Sequence, residues 1–189
     1  MPADHAELHR RAVEEFGARV KSVADDQWEL PTPCSDWNVR QLVNHLVYEN
    51  RWTVPLMGGA TIAEVGDRYE GDLLGDQPKA TWDDASEEAV RAVQADGALD
   101  RVVDLSMGPT PAREYVSQLY ADHLIHAWDL ARAVGADERL DPELVDACAS
   151  WFAEMEPRYR ATGAIGERPE TPPGADAQTI LLAAFGRTA

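Results

Sequence analysis

The stretch from Ala112 to Val134 holds neither glycine nor proline, and its apolar residues Tyr115, Val116, Leu119, Leu124, Ile125, Trp128, Leu130 and Ala131 recur at helical spacing until Gly135 stops it. A helix of this length carries an apolar face that has to be covered, and three other segments offer matching stripes. Leu8, Ala12, Phe16, Val20 and Val23 follow Asp4, a good N-cap, and predict a helix over 4–24. Asn38 with Gln41 three residues on fits a capping box ahead of Val39, Leu42, Val43, Leu46 and Val47, which predicts a helix over 39–55. Trp82, Ala85, Ala89, Val90 and Val93 predict another over 80–96, closed by Gly97. Four long amphipathic helices imply an all-α fold, a four-helix bundle in which residues 1–189 form one domain.

The connecting segments fill in the topology. Pro31 and Pro33 make a rigid, extended connector into the second helix. Gly58, Gly59, Gly66, Gly71 and Gly75 mark residues 58–79 as one long crossover loop, with a short helix expected around Ile62 to Leu74. Residues 101–106 alternate weakly in polarity but run into Pro109 and Pro111, and are read as an extended linker. A fifth helix is expected from Pro142 to about Met155 after the cap Asp141, and TILLAAF near the C-terminus supplies an additional apolar helix.

Acidic residues outnumber basic ones 34 to 17, a formal net charge of -17. Such a surface repels phosphate backbones and anionic headgroups, so neither nucleic acid nor a membrane is expected as a partner. Cys34 and Cys148 show no finger or C-x-x-C spacing, the N-terminus lacks the apolar core of a secretory signal, and no apolar run reaches membrane-spanning length. The expected location is cytoplasmic, as a monomer or homodimer.

The chemistry centres on ADHLIHAWDLARA. Asp122 and His126 stand four apart and project from one face of their helix, where a carboxylate and an imidazole can share a divalent ion. His45 lies among apolar neighbours in the second helix, and facing helices of a bundle can bring such groups together. Three protein ligands with an open fourth position is the arrangement of a catalytic zinc site. A histidine in an apolar helix is more often a hydrogen-bonded core residue, so spacing alone leaves metal binding the minority reading. His123 points about 100° from Asp122 and about 60° from His126, off their shared direction. His5 and His9 are read as a solvated face, Asp129 and Arg132 as a structural ion pair, and Cys34 as an inert thiol, with Asp36 beside it and no cation nearby in sequence. Tyr48 and Trp52, one and two turns beyond His45, are candidates to line a thiol pocket.

The strings TPCSDWNVRQLVNHL, LLGDQP, DHLIHAWDLARAVGAD and TILLAAFGR resemble the single-domain metal-binding branch of the DinB-like superfamily, near the N-terminal domain of mycothiol-dependent maleylpyruvate isomerase. The resemblance runs from about Trp28 to the end. It implies a DinB-like bundle whose metal is held at the positions of His45, Asp122 and His126. The isomerase uses Glu at the acidic position and carries a second, C-terminal domain for which this length leaves no room.

What the resemblance implies is a metal-dependent mycothiol S-transferase or a related isomerase. A divalent metal, zinc first with nickel, iron or manganese as alternatives, would activate a mycothiol-like thiol as its thiolate against a small electrophile. Thiol-assisted isomerisation is a variant of that chemistry. The alternative from another class is a non-catalytic metal- or small-molecule-binding helical module.

Overall fold

The computed structural model describes residues 4–35, 37–163 and 165–189. Among the described residues seven α-helices are formed: α1 (His5–Ser22), α2 (Val39–Met57), α3 (Ile62–Val65), α4 (Pro78–Gln94), α5 (Ala112–Val134), α6 (Pro142–Thr162) and α7 (Ala177–Ala184). The expected caps are in place. Asp4 accepts from the amides of Ala6 and Glu7, Asn38 and Gln41 close a reciprocal capping box, and Gly135 ends α5 at a φ of 72°, where a side chain would be strained. The fold is all-α and DinB-like, with α1, α2, α4 and α5 as its bundle.

Side-chain ties fix the helix directions. α1 runs parallel to α5, pinned by His5 to Ser117 at one end and by Gln27 to the Val134 carbonyl at the other. α2 runs against α5, with His45 level with Asp122 and Thr53 level with Tyr115. α4 runs against α1, and Gly17 of α1 sits on the Trp82 indole. Two neighbouring helices that point the same way cannot be joined by a tight turn. The segment from Gly58 to Gln77 is therefore the long crossover between α2 and α4, and α3 occupies only four of its residues rather than the longer helix expected there.

Two expectations are corrected. Val102–Leu105 and Gly108–Pro111 are not a linker but strands β1 and β2 of an antiparallel hairpin, with Val103 opposite Thr110. Pro109 and Pro111 are tolerated because a two-stranded ribbon leaves an unpaired outer edge that needs no donor. His9 is not solvated but fully buried, its ring edge-on to His123 at a centroid distance of 5.7 Å. It falls two turns before Phe16 on the inward stripe of α1, and the parallel packing on α5 covers it. No helix among the described residues is long and apolar enough to cross a membrane.

Candidate metal centre

Antiparallel packing of α2 on α5 places an imidazole from one helix beside a carboxylate and an imidazole from the other. His45 Nε2 lies 3.0 Å from Asp122 Oδ2, and His126 Nε2 lies 3.3 Å from Asp122 Oδ1. The three donor atoms fall within 4.8 Å of one another. A tetrahedral zinc ion with bonds of about 2.1 Å separates its ligand atoms by about 3.4 Å, so two nitrogens and one carboxylate at these spacings suit a divalent ion with no helix having to move. His45 and Asp122 are partly open to solvent while His126 is buried, which leaves one side of the cluster accessible.

Each imidazole is held from behind. The His45 ring stacks on Trp37 at 4.5 Å between centroids. Trp37 is delivered by the proline-rich connector, whose Pro31 pairs with Asn38 at the start of α2. His126 Nδ1 donates to Asp129 Oδ2 at 2.9 Å, and Asp129 is wholly buried. Arg187, beyond α7, grips that carboxylate with both ends of its fork, Nε to Oδ1 at 3.1 Å and Nη2 to Oδ2 at 2.8 Å. A histidine whose far nitrogen donates to a carboxylate has its tautomer and ring orientation fixed, with the near nitrogen free to ligate.

This network replaces the ion pair expected between Asp129 and Arg132. Arg132 instead lies over the Trp128 ring and donates to the Thr188 carbonyl. Cys34 does have a cation beside it, since Arg187 Nη2 lies 2.9 Å from its sulfur and His126 Nδ1 lies 3.9 Å away. Sequence proximity could not show this, because Arg187 is 153 positions distant. Asp36, weighed beside Cys34, lies outside the described residues. Cys34, His126 and Asp129 form a second set of potential metal donors. The Arg187 guanidinium already stands among them as the counter-cation, so the set at His45, Asp122 and His126 is the one suited to an ion.

The electrostatics follow from burial and proximity. Burial works to raise the Asp122 carboxyl, yet the two imidazoles outweigh it and hold the group well below the usual range. Burial likewise works to lower His126, but Asp122, Asp129 and Cys34 drive it well above an ordinary histidine. Glu49, one turn beyond His45, is pushed up to about 7 by burial and then by the Asp122 charge. Sequence reading missed Glu49, although its four-residue step from His45 was there to be seen.

Two depressions flank the centre. A chamber of about 270 Å³ opens over His45, Asp122 and Glu49, walled by Tyr115, Trp151 and Tyr159. A more polar groove of about 700 Å³ also reaches His45, with Trp37, Arg40, Asn44, Tyr48 and Asp72 along it. Tyr48 lines this groove, and Trp52 packs between Tyr48 and Tyr69.

Comparison with known proteins agrees with this architecture. The family model described as mycothiol maleylpyruvate isomerase N-terminal domain matches residues 9–131. Uncharacterized proteins from two strains of Mycobacterium tuberculosis are 35% identical over 190 residues, spanning 95% of this chain and 96% of their own length. The crystal structure of the mycothiol-dependent maleylpyruvate isomerase superposes with a TM-score of 0.64 at 17% identity, covering 87% of this chain and 73% of that one. A histidine-to-alanine mutant of the same enzyme superposes with a TM-score of 0.65.

Proposed function

Because the chain belongs to the family of the mycothiol maleylpyruvate isomerase N-terminal domain, we propose that it is a metal-dependent enzyme that transfers a low-molecular-weight thiol of the mycothiol type to a small electrophile. Thiol-assisted isomerisation would be a variant of the same chemistry. The observation that carries the reading is the convergence of His45, Asp122 and His126, the two imidazoles braced from behind and the cluster open on one side. A divalent metal, zinc by the donor types, supplies a charge that makes a thiol acidic enough to react as its thiolate near neutral pH.

The rest of the work belongs to the protein's own groups. His45 and His126 present Nε2, and Asp122 offsets cationic charge while leaving part of its carboxylate open to the chamber. Asp129 and Arg187 keep a proton on His126 Nδ1, so that the ring cannot turn its other nitrogen away. Glu49, with its carboxyl poised near neutrality in the same chamber, is placed to take the proton that a thiol gives up on becoming a nucleophile. The polar groove at Tyr48, which also reaches His45, offers room for the body of the thiol.

The test compares metal-loaded and metal-free protein for consumption of mycothiol with a panel of generic electrophiles. Turnover should require metal and thiol together. His126→Ala should lose most of its metal by elemental analysis, because two remaining ligands rarely retain an ion against bulk competition. Glu49→Gln should keep the metal and lose rate by about 10²-fold or more. A fully loaded protein with no rate above the metal-free control would make the chain a binding module instead.

A further inference from the structure

Gln118 and Tyr159 form one wall of the chamber over Asp122. A second cavity of about 240 Å³ adjoins it, and Gln118 and Tyr159 belong to the walls of both. The far cavity lies where the β1–β2 hairpin, α5 and α6 meet, and Leu105, Met107 and Met155 give apolar side chains to a wall that also carries Thr110, Glu114 and Arg158. Methionines on such a wall adapt to varied apolar shapes.

The charges along this path are unusual for a site that would hold an anion. Among the described residues no lysine or arginine lines the inner chamber, while Glu49 and Asp122 both do. Glu114 lines the outer cavity and accepts from the Trp151 indole and the Gln118 amide. Arg158, the single cation of the outer wall, is exposed. Nor does a divalent ion restore attraction for a carboxylate, because Asp122 and a thiolate together balance its charge. A dianion entering here would shed its water beside Glu49 and Glu114 with no buried cation to answer it, which is strongly unfavourable.

We propose that the second substrate of this centre is an uncharged electrophile with an extended apolar body, seated with its reactive end toward Asp122 and its body past Gln118 and Tyr159 into the cavity at Met155. The ligand's role as electrophile rests on the thiol-transfer reading. Its recognition does not, and can be measured without turnover.

Unreactive mimics separate the two questions. Zinc-loaded and metal-free full-length protein are titrated calorimetrically with N-ethyl-, N-butyl- and N-hexylsuccinimide, and with succinate as the dianionic counterpart. Each added methylene should tighten Kd by roughly three- to fourfold until the outer cavity is filled, and succinate should bind more weakly than every alkyl member. Met155→Trp, which fills the outer cavity, should cancel the gain of the hexyl over the butyl compound and leave the ethyl compound unchanged. Gln118→Arg, which places a cation between the cavities, should strengthen succinate binding at least tenfold. A Kd independent of chain length, or succinate binding tighter than the butyl compound, overturns the proposal. Alkyl-dependent binding in a protein that neither retains metal nor consumes thiol would leave the apolar site standing while the thiol-transfer reading falls.

Discussion

At the residue scale the centre depends on atoms that never touch a ligand. Asp129 is fully buried and lies between His126 Nδ1 and the Arg187 guanidinium, so Asp129→Asn removes the charge that both partners answer. Loss of such a supporting carboxylate costs about 10- to 100-fold in metal affinity. A chelator competition should show that weakening while the far-ultraviolet dichroism keeps its helical signal; unchanged affinity would mean that Asp129 is merely structural. His9 makes the opposite kind of demand. Burial, and then the neighbouring His123, lower its pKa to about 3, and neither ring nitrogen has a hydrogen-bond partner among the described residues. The unfolded chain takes up that proton near pH 6.5, so stability is complete above this value and declines as the pH falls from 6.5 toward 3. By pH 5 the loss from His9 alone is about 2 kcal/mol. Urea midpoints measured between pH 7 and pH 5 should fall in the native protein and fall less in His9→Leu.

At the scale of elements, α1 and α4 approach closely because Gly17 has no side chain. A Cβ there would come within 2.8 Å of Nε1 of Trp82, an indole too deeply buried to step aside. Gly17→Ala should gain about 1 kcal/mol of helix propensity and lose about 1–3 kcal/mol by overpacking. The expected result is a lower Tm. A higher Tm would show that the α1–α4 seam can open without cost. Most elements were legible in the sequence because stripe and cap agreed: α2 starts at the Asn38 capping box, and α5 spans the uninterrupted run from Ala112 to Val134. The hairpin was not, because Pro109 and Pro111 argue against a strand and only the pairing of Val102–Leu105 with Gly108–Pro111 makes one.

For the whole molecule, what could be read ahead of the structure divides by sequence separation. Asp122 and His126 share a helix face by periodicity, and family likeness pointed to His45 as their companion. Arg187 was invisible as the partner of Asp129 and Cys34, since it stands 58 and 153 positions away and nothing local marks an arginine for a buried carboxylate. The same long reach shapes how the chain must assemble. α1 makes its most extensive helix contact with α5, and the His5–Ser117 tie spans 112 positions. α1 is thus made more than a hundred residues ahead of the helix it packs against most extensively, and until then α4, through Trp82 on Phe16, is the earlier partner for its inward face. Pairings this distant slow folding and prolong the life of sticky intermediates. An apolar face left partly bare for that interval is the segment of this fold most exposed to off-pathway association while the chain is being made.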